Sequence, residues 1–285
     1  MRVLTALVPL CLVVGACGPS ARTGENAVLF VRGGPGTGGL VSGGDEQLSS
    51  IDDTSTAPGN AGWGELRANL ESAGFVVRET IERGGPIDLD AVDIGTYAVI
   101  VFGSNNARYS DDAAARLDAW VRDGGGALFV SDASFGSSWG AAPSSDQTFL
   151  SRFDLVMNQD GANGVVTLSG ADFLAPQHSV LSGVSAFEGE GVSACSITDH
   201  VADVAPVRLV AAKADVRANA GEPGPLAAPT DRDASLAVAQ VGKGRVACHF
   251  DRSTFFNAGG AGTSIRKAGN AKLATNLFLW LANRT

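Results

Sequence analysis

The stretch "YAVIVFGSNNARYSDDAAARLDAWVRDGGGALFVSD" (97–132) decides the fold, because it predicts a strand, a helix and a second strand in succession. Its two ends, 97–103 and 126–132, are short apolar runs, as expected for buried parallel strands. Between them, Ser110 is a good N-cap, and apolar side chains recur at helical spacing on one face. This order of elements predicts a right-handed crossover within a parallel sheet.

The same pattern precedes this stretch and continues, more loosely, after it. We expect a three-layer α/β fold: a mostly parallel, flavodoxin-like sheet with helices on both faces and an added C-terminal β-hairpin and helix. The other predicted strands are 27–32, 74–81, 164–170, 190–197, 207–214 and the hairpin 235–251, which turns at Gly242-Lys243-Gly244. The other predicted helices are 63–74, 144–156 and 270–284, and residues 214–234 are predicted to form a surface loop.

The chain opens on "MRVLTALVPLCLVVGACGPS" (1–20), which has the features of a secretory signal. Arg2 supplies a positive charge, and the apolar run 3–14 is too short to span a bilayer. The run ends in Val14-Gly15-Ala16-Cys17, which resembles a bacterial lipobox. The resemblance implies cleavage before Cys17 and a diacylglyceryl group on its sulfur. The alternative is an ordinary secretory peptide that is cut after the preceding alanine.

These features divide the chain into a lipoprotein signal peptide (1–16), a short flexible tether (17–26) and one α/β domain (27–285). Gly18, which stands where an aspartate would act as a retention signal, points to the outer membrane under the usual sorting rule. We therefore expect an exported, lipid-anchored protein on the periplasmic face of that membrane or at the cell surface.

The chain is acidic, with 21 Lys+Arg against 30 Asp+Glu and a net charge of −9 at pH 7. Such a surface would repel nucleic acid, so nucleic acid is not an expected partner. Apart from Cys17 and a cysteine inside the signal peptide, the chain contains Cys195 and Cys248. In an oxidising compartment this pair can form a disulfide, although two buried free thiols remain an alternative at the level of sequence.

Three stretches together resemble a known group of folds. The opening stretch (97–132) is similar to the class I glutamine-amidotransferase-like fold in its ThuA-like and β-galactosidase-trimerisation branches. "QHSVLSGV" (177–184) is similar to the "HPVLxGL" turn of those domains, with Ser179 in place of proline. "GKGRVACHFDRSTFFN" (242–257) and the helix after it resemble the end of gliding-motility and intraflagellar-transport auxiliary domains. The resemblance covers roughly residues 27–282, and its motifs are structural, so it implies a fold more than an activity.

"RGGPGTGGLVSGG" (32–44) contains the glycine spacings of nucleotide-binding loops. A P-loop needs Lys and Ser/Thr after its last glycine, but Leu40 and Val41 follow here. A dinucleotide loop needs its third glycine in the first turn of a helix, but the first helix predicted after this segment begins only at Trp63. We therefore expect no nucleotide and no other cofactor, and we interpret this segment as a long loop at the carboxyl ends of the strands, where it could cover a ligand site.

Polar side chains gather at the predicted strand ends and in this loop. They could form a cleft for a glycan or another hydroxyl-rich ligand, or they could serve turns and structural pairs. The candidate ligand-binding residues are Asp45, Glu46, Gln47, Ser104, Asn105, Asn106, Asp132, Asp251 and Arg252.

Catalytic residues are harder to identify. An active amidotransferase-like domain carries a cysteine at a strand-to-helix elbow, and neither Cys195 nor Cys248 follows a parallel strand of the first half. A serine hydrolase could use Ser131 or Ser134 as nucleophile, with a histidine as base; the candidate histidines are His178 and His249. No metal site is predicted. The sequence favours a catalytically degenerate domain that binds a glycan or a protein partner, with a hydrolase of envelope carbohydrate or ester as the alternative.

Overall fold

The computed structural model describes residues 26–33, 49–103, 107–130, 148–157, 164–190, 195–213, 229–258 and 262–285. The strands in these ranges are β1 Ala27–Arg32, β2 Val76–Ile81, β3 Val99–Phe102, β4 Gly126–Val130, β5 Leu155–Met157, β6 Val165–Ser169, β7 Ala186–Glu190, β8 Cys195–Ile197, β9 Val204–Ala211, β10 Asp233–Val241 and β11 Gly244–His249. The α-helices are α1 Gly64–Ser72, α2 Asp111–Arg122 and α3 Asn270–Leu281. Across these ranges, no helix has the length and apolar character that crossing a membrane requires.

Five parallel strands form one half of the main sheet. They lie in the order β2-β1-β3-β4-β11, and every neighbouring pair among them is parallel. This is the strand order of flavodoxin-like sheets, with β11 as the fifth strand. Strand β2 lies at the edge, in agreement with the alternating pattern of its sequence, and its Val76 is 47% exposed.

Both faces of this parallel half are covered by helices. Alternate side chains of β1 enter two different core clusters: Val28 and Phe30 belong to one, and Leu29 and Val31 belong to the other. Helices α1 and α3 pack into the first cluster, whereas α2 packs into the second. Because both faces are buried, the inner strands β3 and β4 are apolar throughout instead of alternating. The predicted three-layer α/β fold, with its C-terminal hairpin and helix, is confirmed.

On the other side of β11 the sheet is antiparallel, and this part is larger than the single hairpin predicted there. Strand β10 pairs with β11, β9 and β8, and β8 pairs with β5. Ala234 pairs with both Cys195 and Ala211, so β8 and β9 lie on opposite edges of β10. Leu236 likewise pairs with His249 on one edge and with β9 on the other. Strand β8 therefore lies on the β11 side and takes over the pairing where β11 ends.

The predicted hairpin turn between β10 and β11 depends on two glycines. Gly242 has a left-handed backbone conformation with φ 58°. A Cβ atom on Gly244 would overlap the carbonyl oxygen of Val121, near the end of α2. The N–H of Lys243 donates to the carbonyl of Arg122 at 3.0 Å, so the turn closes against that helix end.

The described part of the predicted helix 144–156 ends earlier than expected: residues 148–150 are helical, and residues 144–147 lie outside the described ranges. The described part contains a 3-10 turn at Ser151–Phe153, and strand β5 follows it. Between the two, Asp154 has a left-handed backbone conformation with φ 55°. Its carboxylate accepts the backbone N–H of His200 at 2.8 Å. This bond joins residues far apart in the chain, so helical periodicity alone could not show where the helix ends.

Candidate functional site

The five parallel strands end together at one edge of the sheet, which we call the carboxyl edge. The strands end at Arg32, Ile81, Phe102, Val130 and His249, and the carboxyl edge comprises these residues and those that directly follow them. Open α/β sheets bind ligands outside this edge. Of the predicted ligand-binding residues, the structure describes Asp251 and Arg252, which lie here. The following predicted residues lie outside the described ranges: Cys17, Asp45, Glu46, Gln47, Ser104, Asn105, Asn106, Ser131, Asp132 and Ser134.

His249, the last residue of β11, is fully buried among aromatic rings. The ring centroids of Phe187, Phe250 and Phe255 lie 6.1, 5.1 and 5.0 Å from the imidazole. Its Nδ1 accepts the backbone N–H of Asp251 at 3.2 Å, so the neutral ring carries its proton on Nε2. Burial lowers the pKa of His249 to about 3. The imidazole is therefore neutral at physiological pH.

Asp251 and Arg252 are buried in the turn that follows β11, where they are 1% and 4% exposed. The carboxylate of Asp251 accepts a hydrogen bond from the hydroxyl of Ser253. The carbonyl of Arg252 accepts the indole N–H of Trp63 at 3.2 Å, which joins the turn to the start of α1. The Asp251 carboxylate and the Arg252 carbonyl therefore both help to hold the turn in place.

Asn257 organises the same region, and sequence reasoning did not identify it. Its Nδ2 donates to the carbonyl oxygens of Asp53 at 2.6 Å and Ser55 at 3.1 Å. Its Oδ1 accepts the backbone N–H of Glu65 at 2.9 Å, so it caps the start of α1 from a distant part of the chain. The partners are about 200 residues away, and no local pattern could have revealed them.

A second group of charged residues lies at the carboxyl edge beside β1 and β2. The Nε atom of Arg32 is 3.3 Å from Oε1 of Glu79. Burial raises the pKa of Glu79, and the charge of Arg32 opposes that rise. Glu82 is fully buried and accepts a hydrogen bond from the hydroxyl of Tyr109 at 2.7 Å. Neither glutamate was predicted; their position at the end of the predicted strand 74–81 was the available signal.

His178 lies at the opposite edge of the sheet, the amino edge. This edge comprises the first residues of the parallel strands: Ala27, Val76, Val99, Gly126 and Gly244. The rings of His178 and Trp280 are 5.3 Å apart, and the guanidinium of Arg245 lies 5.1 Å from the same Trp280 ring. Arg245 pairs with Gly126 at the start of β4, about 13 Å before the end of that strand. Burial and the nearby Arg245 both lower the pKa of His178.

Cys195 and Cys248 are joined by a disulfide with a Cα–Cα distance of 6.0 Å. Both cysteines are fully buried. The bond ties the start of β8 to the penultimate residue of β11, and so it fixes the two strands that share one edge of β10. It lies directly beside His249 in the sequence.

A groove of about 470 Å³ opens on the antiparallel side of the molecule. Its walls are formed by Asp154, Ile197, Thr198, Asp199, Val201, Val204, Pro206, Asp231 and Arg232. None of the residues predicted to bind ligand lines this groove. Within the described ranges, no three His, Cys, Asp or Glu side chains lie together in a way that could hold a metal ion.

The strand order, the two helical layers and the polar carboxyl edge define a flavodoxin-like α/β protein. The chain belongs to the family described as "Domain of unknown function (DUF4350)", whose model matches residues 55–278. Sequence comparison with curated proteins finds no significant match.

Solved structures resemble this fold at low sequence identity. The N-terminal domain of mmIFT52 is similar with a TM-score of 0.58 and 13% identity, over 90% of this chain and 96% of that one. A ThuA-like protein from Parabacteroides merdae ATCC 43184 is similar with a TM-score of 0.48 and 15% identity, over 90% of this chain and 89% of that one. At this identity the similarity to mmIFT52 concerns the fold alone. It agrees with the resemblance, noted in the sequence, of the C-terminal hairpin and helix to intraflagellar-transport auxiliary domains.

Proposed function

We propose that this chain is an exported lipoprotein whose α/β domain binds a glycan or a protein partner at the carboxyl edge, without transforming it. The anchor is the diacylglyceryl group that the lipobox-like sequence implies on Cys17. The ligand site is formed by the polar residues predicted after β1, β3 and β4 in the sequence. Their hydroxyl, amide and carboxylate groups suit a neutral, hydroxyl-rich ligand or a polar protein surface.

The observation that carries the proposal is the state of His249. A serine hydrolase needs an imidazole nitrogen that is free of a proton and faces the nucleophile, while the other nitrogen donates to a carboxylate. In His249, Nδ1 accepts a backbone N–H, and Nε2 therefore holds the proton. Because the Nδ1 lone pair already accepts the N–H of Asp251, the neutral ring has no free lone pair to accept a serine proton, and a pKa of about 3 makes proton uptake still less favourable.

The hydrolase alternative has no better base in His178. That imidazole lies at the amino edge, beside Arg245 and Trp280, whereas the candidate nucleophiles follow β4 at the carboxyl edge. Among the described residues, the remaining histidine, His200, is exposed in the segment after β8. These positions favour a binding domain over a hydrolase.

The proposal is tested by binding to a glycan array and to purified envelope proteins, with the soluble domain (27–285) as probe. Asp132→Ala and a shortened Gly33–Gly44 loop should weaken binding at least about tenfold, because each removes or displaces part of the carboxyl-edge site. Asp123→Ala is the matched control, since this aspartate, whose side chain is 71% exposed, lies beside the hairpin turn at the amino edge and should leave binding unchanged. Equal loss of binding in all three variants, or no bound species at all, would contradict the proposal.

Nucleotides provide a second arm of the same experiment. A ligand at a hundred times its Kd adds about 2.7 kcal/mol to the stability of the native state, which a melting scan detects. NAD and ATP should leave the melting temperature unchanged, because the glycine-rich segment lacks the lysine and hydroxyl of a P-loop. A stabilisation by either nucleotide that disappears on deletion of Gly36–Gly39 would restore the nucleotide interpretation.

The anchor is tested separately. Cys17→Ser should release the protein from the membrane fraction and abolish labelling with a lipid precursor. Unchanged membrane retention with an uncleaved N-terminus would contradict the lipoprotein assignment and leave the binding proposal to be judged on its own.

A further inference from the structure

The proposed tether enters the domain at the amino edge. Strand β1 begins at Ala27, and the carbonyl of Asn26 accepts the N–H of Val76 at 2.8 Å, so the chain is fixed to the sheet at this point. From Cys17 to Ala27 the chain takes ten residue steps, which span at most about 35 Å when fully extended. This length limits which parts of the domain can reach the membrane.

The domain is too large for the carboxyl edge to turn toward the bilayer. A domain of the length 27–285 has a radius of gyration of about 18 Å and measures about 45 Å across. For the carboxyl edge to contact lipid, the tether would have to pass from Ala27 around the outside of the domain. A tether of about 35 Å is too short for that path.

The surface around Ala27 has groups that suit a membrane interface. Val76, the register partner of Ala27, is 47% exposed. The exposed Arg284 lies 4.6 Å above the ring of Phe75, and it forms no ion pair in the part of the chain that the structure describes. An exposed apolar side chain can contact the acyl boundary, and the exposed guanidinium of Arg284, which also donates to the carbonyl of Ala73 at 3.3 Å, can contact an anionic headgroup.

We infer that the amino edge, with Val76 and Arg284, faces the anchoring bilayer and that the carboxyl edge faces away from it. This orientation rests on the proposed lipidation of Cys17. Its consequence for the ligand site is specific: the partner of the carboxyl edge reaches it from the aqueous side, and lipid headgroups of the anchoring membrane are not its ligand.

The orientation can be measured with one label at each end of β2. The labels are introduced by Val76→Cys and Arg83→Cys. Both residues are exposed, and the seven residue steps between them place the two labels about 20 Å apart. The disulfide and the lipidated Cys17 leave the introduced thiol as the single site for a fluorophore. The full-length lipoprotein is reconstituted in phosphatidylethanolamine/phosphatidylglycerol vesicles that contain a lipid with a nitroxide on its headgroup.

Contact quenching by the headgroup nitroxide should be at least about threefold stronger at position 76 than at position 83, because the two labels differ in height by most of the strand length. The same labels on the soluble domain (27–285), which has neither the anchor nor the cysteines of the signal and tether, should show equal, weak quenching. In a protein whose mass confirms the diacylglyceryl group, equal or reversed quenching overturns the orientation alone. A mass without that group overturns the proposed anchor, and the orientation with it.

Discussion

The two ends of strand β11 differ in how deeply their polar side chains are buried and in the groups that these side chains contact. At the amino edge, Arg245 and His178 pack on the ring of Trp280, and His178 remains partly exposed. At the carboxyl edge, His249 and Asp251 are buried, and they bond to backbone or to a neighbouring hydroxyl. The contrast shows that a histidine close to a strand end is not by itself a catalytic signal, because its hydrogen-bond partners decide which nitrogen is available.

Loss of the disulfide should have the largest effect on the buried end. The bond closes a segment of 53 residues, and chain-entropy arguments give about 4 kcal/mol for a loop of this length. Reduction, or the double change Cys195→Ala and Cys248→Ala, should lower the free energy of unfolding by about that amount in denaturant titrations. Two alkylatable thiols in the unfolded, unreduced protein would contradict the pairing.

Asn257→Ala should have the next largest effect. The change removes the hydrogen bonds that this fully buried side chain makes to the carbonyls of Asp53 and Ser55 and to the N–H of Glu65, so we expect a loss of about 3 kcal/mol in the free energy of unfolding. Asn283→Ala is the matched control at the amino edge, where the exposed amide makes two bonds of 3.4 Å, and it should cost less than about 0.5 kcal/mol. Equal losses in the two variants would remove the difference between the edges.

A pH dependence should distinguish the two histidines. A histidine with a pKa of about 3 in the folded state and about 6.5 in the unfolded state makes the protein less stable as the pH falls below the unfolded value. From pH 8 to pH 5, His249 should account for a loss of about 2 kcal/mol in the free energy of unfolding. His249→Asn keeps an acceptor for the N–H of Asp251, cannot titrate and should remove that slope.

His178→Asn serves as the comparison, because the asparagine oxygen can replace Nδ1 as acceptor for the N–H of Val180. The pKa of His178 is also lowered, so this variant should reduce the slope in the same direction. We expect the smaller change here, since this imidazole is only partly buried. An unchanged slope in His249→Asn would show that the buried histidine does not behave as described.

The smallest effect should come from the exposed ion pair at the hairpin turn. Lys243 and Asp123 lie 3.6 Å apart, with their side chains 79% and 71% exposed. Solvent screens such a pair, so Lys243→Ala should change the free energy of unfolding by less than about 0.5 kcal/mol. A larger loss would mean that the amino edge depends on its charges as much as the carboxyl edge depends on its buried hydrogen bonds.

The fold was largely predictable from the sequence because its signals are local. The apolar runs 27–32, 97–103 and 126–132 and the helix that starts after Ser110 correspond to β1, β3, β4 and α2. Two segments differ: a distant hydrogen bond to Asp154 ends the helix predicted at 144–156, and the strand predicted at 190–197 overlaps β7 and β8, which belong to two different sheets.

The candidate site was predictable only in part, because its properties arise from distant contacts. The position of Asp251 after a strand followed from the hairpin pattern, but its burial did not. The role of Asn257 depends on partners near residue 53, and the tautomer of His249 depends on the path of the backbone after β11. Neither the role of Asn257 nor the tautomer of His249 can be recognised from a local sequence pattern.

The most direct test of the account is the protonation state of His249, measured by long-range ¹H–¹⁵N NMR of the imidazoles between pH 8 and pH 4. We expect the His249 ring to remain neutral over this range, with its proton on Nε2, since burial lowers its pKa to about 3 and Nδ1 accepts a backbone N–H. A proton on Nδ1, or a titration near neutral pH, would leave a ring nitrogen available as a base and would contradict the argument on which the proposed binding function rests.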